Sequence, residues 1–410
     1  MSKDLLTRRR ENLGKAIQNN ELVIVLASEE PIGISLFLQN NNFLYFTGLE
    51  ETPEAIFLYQ KKNDQTTETL FLQRNNPDKI VWDGAKMYPE EAKEISGIND
   101  IQYIDELEDY LEHTLATTQK VFINSGIKHL AKPLNKALSL VSQMRERYLH
   151  LIFSDLHFLM IPLRQIKDET EIQNIRKAIE YTGLGLNHIF LNALSGMYEY
   201  ELEAMLFYEM RRKGIAQYGF APIIASGINA TTLHYKKNNC QIPDQSLVLC
   251  DVGALYHNYC ADITRTFPIA HKFTTRQKEV YSAVLDVQKF IINLIKPGIS
   301  LTYLNEKARE HIGEACVQLG LLKNPLDYKK YYMHSIGHHL GMDTHDIASR
   351  DSILQEGMVI TVEPGIYIPE EKIGVRIEDD IYVTKDANLI LSHSIPKEIE
   401  ELEALRSKVN

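Results

Sequence analysis

LVLCDVGALYHNYCADITRTFPI, residues 247–269, reads as two apolar strands joined by a tight turn, each strand carrying one aspartate. Asp251 and Asp262 lie eleven residues apart. A two-residue loop at Tyr256-His257 would set them directly opposite each other; a loop shifted by one residue would make them diagonal neighbours. Either way both carboxylates point to one face of the sheet. Facing like charges destabilise a strand pair unless positive charge lies between them. The apolar residues around both acids favour burial over a solvated face.

The pattern recurs in MVITVEPGIYIPEEKIGVRIEDDIYVT, residues 358–384. Glu363 and Glu378 are fifteen apart, and a turn at Glu370-Glu371 opposes them on one face. Arg376 shares that face through the strand period of two. If the two hairpin faces meet, four carboxylates converge. Such a cluster in a core calls for about two divalent cations.

Each hairpin is preceded by two helical stretches, around 168–192 and 199–213 for the first and 275–295 and 302–319 for the second. Asp168 followed by Glu171 forms a capping-box pattern at the start of the first. Two helices and a hairpin, repeated once, predict two related halves facing each other. Upstream, LVIVLA (22–27), AIFLYQ (55–60) and TLFLQ (69–73) read as buried strands among helical segments, an α/β pattern. Pro162 is expected to break what precedes it. The boundary therefore falls between about 155 and 168, giving an N-terminal α/β domain over 1–160 and a second domain over 161–410. The final stretch, EIEELEALRSKVN, is expected to be a short charged surface helix.

With 410 residues, two domains are the natural expectation. A net charge of −11 argues against nucleic acid and against an anionic membrane surface. No uninterrupted apolar run is long enough for a spanning helix, and the start carries no signal-peptide pattern. Four cysteines without a CxxC pair fit reduced thiols in a cytoplasmic protein.

MHSIGHHLGMDTHD, residues 333–346, holds His334, His338, His339 and His345. Ser335 stands where a zinc-protease HExxH motif needs glutamate, and Gly337 and Gly341 oppose a regular helix. Local spacing alone does not choose a ligand among the four.

Taken together, LVLCDVGALYHNYCADITRTFP, HSIGHHLGMDTHD, VITVEPGIY and GVRIEDD resemble, in order and separation, the pita-bread metallopeptidases, and within them aminopeptidase P and its relative prolidase. NFLYFTGLEETPEAIFLY, residues 42–59, is similar to part of the aminopeptidase P N-terminal domain, although Asn42 stands where aspartate is frequent. The resemblance implies an α+β catalytic fold with an internal pseudo-twofold repeat. It implies the metal ligands Asp251, Asp262, His338, Glu363 and Glu378, with Asp262 and Glu378 bridging two ions. It further implies substrate-contacting or supporting roles for His234, His334 and His345, supporting roles for Tyr367 and Arg376, and a substrate contact for Trp82. Oxygen-rich ligands favour manganese. The implied activity is release of the first residue from peptides with proline second, through a metal-bridging hydroxide and proton transfer by Glu363. Relatives of this kind are usually homo-oligomers.

Prolidase, restricted to dipeptides, is the nearest rival, and the N-terminal segment favours aminopeptidase P. A metal-free hydrolase on the same fold would require loss of the carboxylates. A non-catalytic peptide binder would require a degenerate site. Ligand types and spacing alone would also suit a dinuclear phosphoesterase.

Overall fold

The computed structural model describes residues 2–31, 37–126, 133–349 and 351–409. The chain divides into two compact units, Met1–Leu163 and Arg164–Asn410.

The first unit runs α1 (Lys3–Ala16), β1 (Glu21–Leu26), α2 (Asn41–Thr47), β2 (Ile56–Lys62), β3 (Gln65–Leu72), α3 (Pro77–Asp83), α4 (Pro89–Ser96), β4 (Asp100–Tyr103), α5 (Leu107–Leu115), β5 (Lys120–Ile123), α6 (Lys136–Arg147) and β6 (Ile152–Asp155). The strands form one mixed sheet in the order β4-β3-β2-β1-β5-β6. Leu22, Ile24 and Leu26 of β1 pack with Leu111, Leu115, Val141 and Met144 of α5 and α6. Val23 and Val25 point to the opposite face and are also buried. Covering both faces is why β1 reads as an unbroken apolar run.

Helix α7 (His157–Arg164) follows, with Pro162 inside it. The expected break at Pro162 is therefore corrected. In a helix of two turns the proline ring removes only one backbone bond, and its fixed φ is helical.

In the second unit α8 (Glu169–Asn192) and α9 (Glu199–Arg211) lead to β7 (Ile223–Ser226), β8 (Leu247–Val252), β9 (Leu255–Tyr256), β10 (Tyr259–Cys260) and β11 (Ile263–Pro268). Asp168 caps α8 in the expected box with Glu171. Helices α10 (Thr275–Leu294) and α11 (Leu301–Gln318) then lead to β12 (Val359–Val362), β13 (Gly365–Ile368), β14 (Ile373–Arg376), β15 (Asp379–Val383) and β16 (Asn388–Ile390). The two three-stranded sheets have the orders β11-β8-β7 and β12-β15-β16. These are the expected two halves, each made of a helix pair followed by strands.

The first hairpin adopts the shifted register: Asp251 pairs with Thr264, and Tyr256 with Tyr259. Its turn residues are His257 and Asn258, with φ of 45° and 60°. A turn at Tyr256-His257 would force a bulky tyrosine into the left-handed region, which asparagine tolerates better. The two aspartates are diagonal neighbours as a result. The second hairpin turns through Pro369–Glu371 and Lys372, as expected, and Gly365 pairs with Arg376.

The halves meet along β11 and β14–β15. The Glu378 N–H donates to the Thr264 carbonyl at 3.0 Å, and Thr266 Oγ1 donates to the Arg376 carbonyl at 2.9 Å. Buried Arg265 donates to the Glu378 carbonyl at 2.6 Å and to Asp379 at 2.7 Å. Gly253 permits the close strand crossing beside the acids, because a Cβ there would overlap the Ala261 carbonyl.

The C-terminal helix α12 (Ile399–Arg406) is the expected short charged surface helix, and one face of it is anchored. Leu402 and Arg406 are buried, and the Arg406 guanidinium donates to the carbonyls of Phe190, Ala193 and Ile269. Its charged composition conceals one inward stripe.

A buried ion network ties the histidine-rich loop to the start of this unit. Arg164 reaches Asp343 at 2.7 Å and Asp346 at 2.6 Å, and Lys167 reaches Asp346 at 3.0 Å. Burial opposes the Asp346 charge, yet Arg164 and Lys167 hold its carboxyl below the ordinary aspartate value. The network therefore stabilises the fold above the unfolded aspartate value of about 3.9 and is lost as pH falls through the folded-state value. Asp346→Asn is expected to destabilise the chain by roughly 3–5 kcal/mol at pH 7 in urea unfolding, with the gap closing below about pH 4. An unchanged midpoint at pH 7 contradicts this.

Candidate metal centre

Each acid arrives from a strand end. Asp251 lies on β8, Asp262 just before β11, Glu363 just after β12, and Glu378 between β14 and β15. His338 comes from the irregular segment before β12, which lacks a regular helix as its glycines required. A Cβ at Gly337 would overlap the Thr361 carbonyl, so glycine lets this loop lie against β12. The His338 N–H donates to Thr361 Oγ1 at 3.1 Å.

These side chains open onto one cavity of about 700 Å³ in the second unit. Asp251, Asp262, His338, Glu363 and Glu378 all line it, as do His234, His334, His345 and Arg376. Ligand atoms of Asp262, His338 and Glu378 lie within 4.8 Å of one another. His338 Nε2 stands 3.4 Å from Asp262 Oδ2 and 3.6 Å from Glu363 Oε1. Its Nδ1 faces the His339 carbonyl at 3.1 Å, which favours the tautomer with the Nε2 lone pair directed at the acids.

Arg376 links the supporting residues. It donates to Asp251 Oδ2 at 2.7 Å, to Thr264 Oγ1 at 3.2 Å and to Tyr367 OH at 2.9 Å. Thr264 Oγ1 donates to Glu378 Oε2 at 2.7 Å. Tyr367 OH lies 2.9 Å from His334 Nε2, and His334 Nδ1 lies 2.8 Å from the Ser335 carbonyl. The His338 and His345 rings stack at 4.0 Å between centroids.

Burial and the neighbouring acids push Asp262 and Glu378 well above the ordinary carboxylate range. Burial carries Glu363 up to about 7, against the opposing pull of His338 and Arg376. Burial, aided by Arg376, lowers His334 to about 4; burial, aided by His338 and His234, lowers His345 to about 4.

The donor set fits divalent cations. Among the described residues, Asp251 Oδ1 and Asp262 Oδ1 are buried without a hydrogen-bond partner. Unpaired buried carboxylate oxygens are costly unless a cation satisfies them. Carboxylates with one imidazole form a hard, oxygen-rich ligand set.

His339 takes a different path: it is buried and its Nε2 lies 2.7 Å from Ser352 Oγ. Trp82 belongs to the first unit, on α3, with 85% of its surface exposed. Thr264 is the functional neighbour that the sequence reading missed. Its signal was the His257-Asn258 turn, which puts Thr264 opposite Asp251. Gly219 and Phe220 also line the cavity, from a segment with no chemical motif.

The fold and this site define a metal-dependent aminopeptidase with a pita-bread catalytic unit. Residues 173–385 match metallopeptidase family M24, and residues 6–122 match the aminopeptidase P N-terminal domain. The Xaa-Pro aminopeptidase of Escherichia coli K12 is 31% identical, the alignment covering 99% of this chain and 98% of that protein. The Xaa-Pro aminopeptidase of Haemophilus influenzae is 34% identical over 90% of this chain and 88% of its own length. A Bacillus anthracis chain solved as a candidate aminopeptidase P superimposes with a TM-score of 0.97 at 37% identity, covering 100% of this chain and 99% of that one. The chain belongs to metallopeptidase family M24.

In metal-stripped protein, divalent ion at 100 times its dissociation constant is expected to add about 2.7 kcal/mol of stability. Asp262→Asn is expected to raise the melting temperature of stripped protein, by relieving repulsion, and to shrink the ion response. A variant that melts lower and keeps the full response contradicts this.

Proposed function

We propose that this enzyme releases the N-terminal residue from peptides whose second residue is proline, using two divalent ions, in the cell manganese. The observation that carries the reading is the convergence of Asp251, Asp262, His338, Glu363 and Glu378 on a cavity also walled by three further histidines. The near full-length likeness to proteins named Xaa-Pro aminopeptidase supports the substrate class, and the N-terminal domain match favours it over a dipeptidase.

Asp251, Asp262, His338, Glu363 and Glu378 would hold the ions. When bound, such ions acidify a water and polarise the scissile carbonyl. Glu363, which lines the cavity beside His338, would take the proton from the attacking water and hand it to the leaving nitrogen. His345, held neutral, donates its N–H to the developing oxyanion, and His234 shares that role. Arg376, bonded to Tyr367 OH, fixes Asp251, while Tyr367 fixes His334.

A bond to proline has a tertiary amide nitrogen without N–H, and its ring removes backbone freedom. His234, His334 and His345 form the wall suited to the pyrrolidine ring. Trp82 is assigned to substrate contact on the strength of the family resemblance. Free thiols at Cys240, Cys250, Cys260 and Cys316 suit a reducing cytoplasm, and no helix among the described residues is long and apolar enough to cross a membrane. We assign the active species as a homo-oligomer, again from the resemblance.

Xaa-Pro tripeptides and longer peptides are expected to be cleaved well, and Gly-Pro poorly. Rapid Gly-Pro hydrolysis with inert longer peptides would point to a dipeptidase. Glu363→Gln is expected to lower kcat by about 10²–10⁴-fold while the fold persists. Near-normal turnover by that variant contradicts the proton-transfer role.

A further inference from the structure

We propose that Glu199 is the positioning residue for His234, an inference that rests on the reading of His234 given above. Glu199 opens α9 and is fully buried. Its carboxylate receives five hydrogen bonds, from four residues of one strand and the loop after it. Oε1 accepts from the Ser226 N–H at 2.8 Å, from Ser226 Oγ at 2.8 Å and from Asn229 Nδ2 at 3.0 Å. Oε2 accepts from Tyr235 OH at 2.7 Å and from the Cys240 N–H at 3.0 Å. The Glu199 N–H in turn donates to the Cys240 carbonyl at 3.0 Å.

The partners have a telling arrangement. Ser226 ends β7 and Cys240 closes the loop that follows it. Asn229 and Tyr235 lie within that loop, and His234 is the neighbour of Tyr235. One carboxylate therefore pins both ends and the middle of the segment that delivers Leu233, His234 and Lys236 to the cavity. Tyr235 is drawn to Glu199 while His234 faces the cavity, so the tyrosine bond sets the rotation of the histidine's backbone. Hydrogen bonds to an ionised acceptor are the strong ones, and a buried cluster of them holds a single geometry. Catalytic groups need that precision, and loss of an outer residue commonly lowers activity by about 10–100-fold.

Glutamine keeps the shape but turns one acceptor into a donor. In either orientation its NH₂ meets a backbone N–H, of Ser226 or of Cys240, that has no freedom to turn away. The loop must shift.

The test is a double-mutant cycle on an Xaa-Pro tripeptide with Glu199→Gln, His234→Ala and both together, the melting temperature of each being recorded. Glu199→Gln is expected to lower kcat by about 10–100-fold. In the His234→Ala background the same change is expected to lower it by less than about twofold, since coupled residues are non-additive. Equal losses in both backgrounds, or a Glu199→Gln enzyme within about twofold of wild type, overturn the proposal. A His234→Ala enzyme of full activity would overturn the role of His234 itself and this inference with it. Should Glu199→Gln fail to fold, Tyr235→Phe takes its place in the cycle; it removes one bond and faces the same two criteria.

Discussion

Holding Asp251, Asp262, Glu363 and Glu378 in one cavity is the electrostatic constraint on which the catalytic unit depends. Arg376 neutralises part of the charge through its bond to Asp251. The rest is left to burial, to shared protons or to bound cations. Burial already drives Asp262, Glu363 and Glu378 upward, so proton and cation compete for the same oxygens. Oxygens left without donors at Asp251 and Asp262 favour the cation. A metal-dependent enzyme is the chemical outcome of that choice.

The repeated halves explain how the acids meet. Each strand pair brings two of them to one face, and a backbone bond from Glu378 to Thr264 with a side-chain bond from Thr266 to the Arg376 carbonyl joins the faces. Arg265 makes that seam rigid by binding the Glu378 carbonyl and the Asp379 carboxylate in the interior. Placing the proposed ligands on strand ends, rather than on free loops, keeps them within the small tolerances that metal chemistry needs. The loop residues are held otherwise: His338 by Thr361, His345 by the ion network at Asp346, and His234 by Glu199.

Much of this was legible in the residues because it rests on local periodicity. Alternation placed Arg376 on the face shared by Glu363 and Glu378, and the capping pattern at Asp168 located α8. The turn of the first hairpin was left open because two loop positions fit the same apolar pattern. Asn258 was the residue that decided between them. Pro162 misled because proline is read as a breaker, whereas a short helix tolerates it. The C-terminal helix lies at the surface as its charges imply, but composition averages over its faces and hides the inward Leu402 and Arg406. Thr264 escaped notice because the undecided turn left its place opposite Asp251 open, and Glu199 because its partners lie more than 20 residues away, where no periodicity reaches.

The central claim is that these acids and His338 hold a pair of divalent ions without which the peptide bond is not cleaved. The most direct measurement is titration of metal-stripped enzyme with manganese, counting bound ions by equilibrium dialysis and following hydrolysis of an Xaa-Pro tripeptide in the same samples. The account predicts that activity is absent at the start and complete when about two ions are bound per chain. Full hydrolysis by the stripped enzyme, or saturation of binding with no gain in rate, would contradict it.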